Sequence, residues 1–272
     1  MNYKNILDSS NEEIFYEERI IAFIDILAFR DFINDTIDKS GEVNKEKLVN
    51  IVNALKLIKK EFDKIDKSGE APYSLITTFF SDSIVLSLRK DYSIGLLKVF
   101  ETLKIIQIKL IEYGILLRGG IVFGKLIHQP DVILGPAMNE AYDLESKSAL
   151  YPRITIDPDI MEMMAKENEL SDSVYTVKDY DFHKTFEIDF DNTYYINYFS
   201  DVANYLNDGD EIKYYQKLRQ LIRNGVKRTD IGIRMKYMWM LRKFNIGKPS
   251  KIKDMVYREL DDLNNLIAPS DN

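Results

Sequence analysis

An α+β fold, built on a ferredoxin-like βαββαβ core with a helical C-terminal extension, is what this sequence predicts, and three observations carry it. Short β-branched or aromatic runs stand at 19–25, 73–80, 84–88 and 115–123; two long segments with helical apolar spacing lie between them, at 44–65 and 92–113; and the middle two runs are joined by only Ser81-Asp82-Ser83, a hairpin turn. Strand, helix, hairpin, helix and strand in that order form a split βαβ unit, in which the first and third strands are central neighbours.

The opening run, Ile21-Ala-Phe-Ile-Asp-Ile-Leu-Ala-Phe29, carries Asp25 at the end of its strand portion. Helical spacing follows from Leu27 to Ile37 and again from Asn44 to Ile65, where Leu48, Ile51, Val52, Leu55, Ile58 and Phe62 form one stripe. The turn signals Ser68-Gly69 and Ala71-Pro72 precede a strand from Tyr73 to Phe80, and the hairpin places Asp82 at its tip before Ile84 to Leu88. The helix from Tyr92 to Tyr113 buries Leu96, Leu97, Phe100, Leu103, Ile106 and Leu110 and stops at Gly114, after which a strand runs from Ile115 to Phe123.

A connection from Lys125 to Leu134 is expected next, then a helix from Pro136 to Leu150 opened by its proline. Strand Tyr151 to Ile156, helix Pro158 to Asn168 and short strands at Phe186 to Ile188 and Tyr194 to Asn197 complete the core, assigned to residues 1–200. From Glu211 the chain reads as helical to near its end, with Met235, Met238, Trp239, Leu241 and Phe244 as its buried stripe. Residues 201–272 are therefore expected as an extension packed on the same domain.

Composition narrows the function. The 272 residues include no cysteine, which removes disulfides, thiolate catalysis and zinc–thiolate sites and suits a reducing compartment. Net charge of −7 argues against long nucleic acid as a partner, and His128 and His183 are too few for a histidine metal cluster or a serine–histidine triad. Neither a signal peptide in residues 1–13 nor an apolar run of membrane-spanning length is present, so a cytoplasmic location is expected. A carboxylate beside a core is costly unless a cation compensates it, and two of them at adjacent strand ends have the pattern of a shared divalent-metal site.

Three segments then resemble the class III nucleotidyl cyclase catalytic domain. Phe23-Ile-Asp-Ile-Leu-Ala-Phe29 is similar to its metal-binding strand end, Phe80-Ser-Asp-Ser83 to its acidic hairpin, and Gly135-Pro-Ala-Met-Asn-Glu-Ala-Tyr-Asp-Leu-Glu-Ser146 to its asparagine-bearing helix. Together they cover residues 19–156. Within that class, Arg118-Gly-Gly120, Gly135-Pro-Ala137, Glu145-Ser146, Tyr151-Pro-Arg-Ile154 and the aromatic stretch Lys236-Tyr-Met-Trp-Met240 resemble the pyrimidine cyclases of the Pycsar antiphage systems.

The resemblance implies an enzyme making cyclic UMP, or cyclic CMP, from the nucleoside triphosphate as a messenger for a separate effector, with UTP ahead of CTP. It implies two Mg²⁺ or Mn²⁺ ions per site on Asp25 and Asp82, with the Ile26 carbonyl as a further ligand. Asn139 would orient the ribose from the partner subunit of a homodimer with shared sites. Leu27, Ala28 and Phe29 would cradle the triphosphate through backbone N–H groups at a helix start. At the base-reading positions stand Thr78 and Val132, neither a purine reader; Thr78 can donate to or accept from a pyrimidine edge.

One departure is clear: the arginine expected four residues past Asn139 is Asp143, and a carboxylate does not neutralise a pentavalent phosphorane. Lys147, Arg118 and Lys125 are candidates for its role; otherwise the enzyme is slow or inactive. A purine cyclase, and a degenerate module that binds nucleotide or a partner without turnover, are the competing readings.

Overall fold

A computed structural model describes residues 15–68, 74–90, 93–170 and 182–247. Strand β1 (Glu17–Ile26) leads into α1 (Phe29–Asn34) and α2 (Lys45–Ser68), the hairpin β2 (Ile76–Phe80) and β3 (Ser83–Arg89), α3 (Ser93–Leu110) and β4 (Leu117–Gln129). These elements form the predicted core: the sheet order runs β2-β3-β1-β4, and β1 is antiparallel to both neighbours. Strand β5 (Val132–Leu134) then pairs back onto β4, followed by α4 (Pro136–Asp143), β6 (Ile154–Ile156), α5 (Pro158–Leu170), α6 (Phe182–Thr185), β7 (Phe186–Ile188) and β8 (Tyr194–Ile196). Beyond β4 the sheet continues as β6-β8-β7, with β6 parallel to β4. Two helices, α7 (Asp210–Val226) and α8 (Ile231–Gly247), end the described chain. No helix among the described residues is long and apolar enough to cross a membrane.

Alternation along β1 sorts the sheet into two faces. Ile20, Ala22, Ile24 and Ile26 pack with Ile84, Leu86 and Leu88 under α2 and α3, where Ile58, Phe62, Phe100 and Leu103 meet them. The opposite face carries Ile21, Phe23, Val85 and Val122 and is partly covered by Ala137 and Ala141 of α4. A third apolar cluster joins Tyr195, Tyr198 and Phe199 to Tyr215 and Leu218 of α7 and Trp239, Met240 and Phe244 of α8.

Several expectations change in detail. The helix expected from Leu27 to Ile37 shrinks to six residues, because Ala28 adopts a left-handed conformation (φ 61°) and the Leu27 N–H is tied to the Leu116 carbonyl at 2.9 Å. On α2 the buried stripe is Ile51, Ala54, Ile58, Phe62 and Ile65, while Leu48 and Val52 face outward. The connection expected at Lys125 to Leu134 is instead a hairpin: β4 runs on to Gln129, which pairs with Val132 across the two-residue turn Pro130-Asp131. The long helix expected at Pro136 to Leu150 is α4 followed by a single π turn, Leu144–Ser148. The continuous C-terminal helix breaks before Asp230, whose carboxylate caps the N–H of Ile233 at 2.8 Å, and Met240 replaces Met235 in the buried stripe. The N-terminal reading of residues 1–13, the turn residues Gly69, Ala71 and Pro72, and the helix expected past residue 247 lie outside the described residues.

Candidate active site

Register brings the two acids together. Asp25 is paired with Ser83, the first residue after the hairpin tip, and the Ile26 N–H donates to the Asp82 carbonyl at 3.0 Å, tying the end of β1 to the turn that carries Asp82. Phe80 pairs with Ser83, so Ser81 and Asp82 alone make the turn, with Ser81 at a positive φ of 51°. On the other side of β1, Asp25 is paired with Arg118 of β4. Arg118 Nε lies 3.2 Å from Asp25 Oδ2 and 2.5 Å from Glu145 Oε1. The π turn after α4 supplies that second carboxylate: one extra residue in the turn sends Glu145 inward, 2% exposed, beneath Arg118.

Charge is finely balanced here. Burial pushes the Asp25 carboxyl up and the Asp82 charge pushes in the same direction, against the pull of Arg118. Glu145 is likewise raised, first by burial, with Arg118 opposing and Asp25 adding to the rise. One guanidinium thus serves two carboxylates that would otherwise repel, and a third, Asp82, stands beside them.

Of the three cationic candidates, Arg118 is the one at the acids. Lys147 is engaged 2.8 Å from Asp143 on the outer surface of the π turn, and Lys125 is exposed opposite Glu18 in the β1–β4 ladder. Asn139 is exposed on α4, turned away from Ala137 and Ala141, which seat the helix on the sheet. In the proposed phosphate turn, Leu27 has spent its N–H on Leu116, and the Ala28 carbonyl accepts from Asp31 and Phe32. Phe29 packs against the α2–α3 core.

Thr78 pairs with Val85, which pairs with Phe23, so it shares the sheet face of Asp25, two strands away. Val132 pairs with Gln129 and lies on the opposite face of the β4–β5 ribbon from the His128–Ile133 pair. His128 is 4% exposed, with Nε2 3.0 Å from Thr78 Oγ1 and Nδ1 2.8 Å from Ser87 Oγ. Arg19, 2% exposed, donates from Nε to Ser87 Oγ at 2.8 Å, and its other nitrogens meet Glu17 and the Ser74 carbonyl. Burial, reinforced by the Arg19 charge, lowers the His128 imidazole to about 4. Sequence reasoning did not single out the contacts that Glu145, Arg19, Ser87 and His128 make around these candidates; for Arg19 and Ser87 the one local signal was a charge and a hydroxyl at buried positions of otherwise apolar strands.

The donor set suits a hard divalent cation. Asp25 and Asp82 carry carboxylate oxygens on two backbone segments joined by the Ile26 to Asp82 bond, the ligand type such a cation takes, and the Asp25 carboxyl is raised mainly by burial, with the Asp82 charge adding to the rise. Among the described residues no group of three or more His, Asp or Glu is placed to hold a metal ion, so a cation at Asp25 and Asp82 would need further oxygen ligands from substrate phosphate and water.

No protein-family model matches the chain, and no curated protein matches it. Among solved structures, it is similar to a bacterial light-regulated adenylyl cyclase, at 16% identity over 76% of this chain and 98% of that one, with a TM-score of 0.38. A rhodopsin-guanylyl cyclase catalytic core with converted specificity, in complex with ATPαS, matches at 16% identity over 68% of this chain and 97% of its own, TM-score 0.40. A class III adenylyl cyclase-like ATP-binding protein from Pseudomonas aeruginosa matches at 14% identity over 78% of this chain and 60% of its own, TM-score 0.38.

Proposed function

We propose that the chain is a pyrimidine nucleotide cyclase, converting UTP, and less readily CTP, to the 3′,5′-cyclic monophosphate and pyrophosphate. The observation that carries this reading is the joining of Asp25 and Asp82 through the Ile26 to Asp82 backbone bond, on a sheet face that also presents Thr78 and is flanked by Arg118. In the reaction the ribose 3′-oxygen bonds to the α-phosphorus, the α–β phosphoanhydride bond breaks, and the hydroxyl proton is lost. Two Mg²⁺ or Mn²⁺ ions held by Asp25, Asp82 and the Ile26 carbonyl would supply the charge that favours the attacking alkoxide and the leaving pyrophosphate.

The chain's own residues do the rest. Arg118, beside Asp25 and against Glu145, is the guanidinium placed to meet the α-phosphate in the role of the arginine absent at position 143, with Glu145 orienting it; a cation held by Asp25 would take over that carboxylate's charge. Asn139, exposed and facing away from its own sheet, reaches the ribose bound by a second copy, which makes the working unit a homodimer with shared sites. The cellular role that follows is synthesis of a messenger for a separate effector during phage infection, read out as a rise in cyclic UMP that an Asp25→Ala strain lacks.

Incubating the protein with each of the four NTPs and Mn²⁺ and resolving the products tests the reading. Cyclic UMP is expected from UTP; Asp25→Ala and Asp82→Ala are each expected to abolish it with the fold intact; and Asp82→Ala mixed with Asn139→Ala is expected to restore up to one site per mixed dimer. Product from either aspartate variant alone would reject the metal assignment, and product from ATP or GTP instead would make it a purine cyclase. A second reading, a nucleotide-binding module without turnover, is favoured by the anchoring of Arg118 between two carboxylates; nucleotide binding without pyrophosphate release would be its signature.

A further inference from the structure

Helix α8 is apolar on both sides. Met240, Leu241 and Phe244 are buried on its inner face, as the core requires. Ile231, Met235, Met238, Arg242 and Ile246 follow one another at intervals of three and four residues, so they line a single outer face, along which Ile231 is 68% exposed, Met235 51% and Ile246 67%. A helix on a water-facing surface normally turns polar and charged residues outward, and a contiguous exposed apolar strip marks an interaction face. Arg242 continues the surface onto the sheet, its guanidinium 5.7 Å from the centre of the exposed Phe190 ring. No acidic residue occurs in α8.

Cations gather at one end of this strip. From Asp210 to Gly247 the chain has ten lysines and arginines against three acids, whereas the remaining residues have 27 against 41. Two of the ten are paired in the first half of α7, Lys213 with Asp210 and Lys217 with Glu112. At the corner between the two helices Arg223, Lys227, Arg228 and Arg234 are exposed, and among the described residues no carboxylate forms an ion pair with any of them. The acid that stands among them in sequence, Asp230, is committed through its carboxylate to the Ile233 N–H at 2.8 Å. Ile231 and Met235 thus belong to a cationic corner of an acidic protein.

Charge and apolarity together decide what fits. A nucleic acid would meet the cations but leave Ile231 and Met235 in water, and a purely apolar partner would leave four cations unmatched. We infer that the outer face of α8 and the α7–α8 corner form a docking surface for an anionic phospholipid bilayer. Helix α8 lies along the headgroup plane, Ile231 and Met235 enter the acyl boundary, and Arg223, Lys227, Arg228 and Arg234 meet lipid phosphates. The acidic remainder of the chain does not forbid this, because charges more than about 8 Å from the lipid surface are largely screened at physiological ionic strength. Docking of this kind is peripheral and reversible.

Flotation of the full chain with vesicles tests the surface. Partition onto phosphatidylcholine vesicles containing about a third phosphatidylglycerol is expected, weakening as salt is raised, with none onto phosphatidylcholine alone. Arg228→Gln combined with Arg234→Gln is expected to lower the partition coefficient about twentyfold, and Ile231→Ser combined with Met235→Ser on the order of tenfold. Lys213→Gln combined with Lys217→Gln removes the same charge from the other end of α7 and is expected to change it by no more than about threefold. Thermal unfolding checks that each variant folds, and the lipid and salt dependence of the unaltered chain keeps the test open without any variant. Absence of partition by the unaltered chain at low salt overturns the inference, as does an equal loss in the two cation pairs, which would reduce the effect to net charge. Retained vesicle binding by folded Ile231→Ser with Met235→Ser, together with equal affinity of the unaltered chain for a single-stranded oligonucleotide, overturns it in favour of a general polyanion surface. A dimer that dissociates in that variant, with no vesicle binding by the unaltered chain, gives the face to a second copy instead. None of these readouts involves nucleotide cyclisation, so failure here and failure of the cyclase reading are distinguishable.

Discussion

Arg118 is the side chain on which the proposed cyclase chemistry depends most directly. Its guanidinium lies between Asp25 and Glu145, and both of those carboxyls are raised, first by burial and then by a neighbouring carboxylate, Asp82 for Asp25 and Asp25 for Glu145. Replacing it with methionine removes the shared cation, so a further upward shift of both carboxyls and a loss of about 10²- to 10³-fold in kcat are expected, the scale of deleting one transition-state donor. Lys147→Met, at the exposed end of the π turn, is expected to leave kcat within a few fold; the reverse ranking would return the arginine's role to Lys147. His128 has a separate consequence for stability. Its imidazole falls from 6.5 to about 4 in the folded chain, so between those values the unfolded chain binds a proton that the folded chain does not. The stabilisation is complete above pH 6.5 and is lost as pH falls through 4, amounting to about 3 kcal/mol. Urea unfolding between pH 7 and 4 is expected to show this slope, and His128→Asn to flatten it relative to the parent.

At the scale of elements, the site is made by two departures from regular geometry. The first is the two-residue hairpin turn, which sets Asp82 beside the end of β1. The second is the π turn after α4, which carries Glu145 inward while Lys147 stays in solvent. That turn sits directly on Gly120: a Cβ there would lie 2.7 Å from the Ala141 carbonyl, 2.8 Å from Leu144 Cβ and 3.0 Å from the Glu145 nitrogen. Two of these atoms are backbone and the third is a Cβ fixed directly to it, so nothing flexible gives way and Gly120→Ala is expected to push the turn off the sheet. A stability loss of about 1–3 kcal/mol and a fall in kcat resembling that of Glu145→Gln should accompany it; normal stability and rate would show that the turn tolerates displacement. The Gly119-Gly120 pair was visible in the sequence, but the reason for it was not, because the atoms crowding Gly120 come from residues more than twenty positions later and those crowding Gly119 from Phe23 and Ile24 of β1.

For the whole molecule, the question is whether the C-terminal helices belong to the same folding unit as the βαββαβ core. Trp239 of α8 stacks on Tyr151 at 5.5 Å, meets Tyr195 and Phe199 edge-on at 5.7 Å each, and donates its indole N–H to Asp189 at 2.6 Å. Asp189 also receives the buried Arg153, while Lys243 of α8 lies 2.6 Å from Glu187 and 3.1 Å from Asp189. Charges this deep are costly unless fully partnered, so the cluster ties α8 to the far strands of the sheet. The one tryptophan reports on that junction: its fluorescence and far-ultraviolet circular dichroism are expected to change together in urea. Trp239→Ala is expected to cost about 3–5 kcal/mol of that single transition. Two separate transitions would mean that residues 201–247 fold as an independent unit.

The order of strands and helices, the adjacency of Asp25 to Asp82 and the aromatic anchor at Trp239 were legible in the sequence, because apolar periodicity and turn chemistry are local and the split βαβ order leaves few ways to arrange them. Tertiary structure alone decided which basic residue stands at the acids, since Arg118 and Lys147 differ only in what other strands and turns place beside them. It also set Thr78 Oγ1 3.0 Å from the imidazole of a histidine fifty positions away, His128, whose other ring nitrogen meets Ser87. Both contacts depend on how β4 lies against the β2–β3 hairpin, which no short stretch of residues encodes.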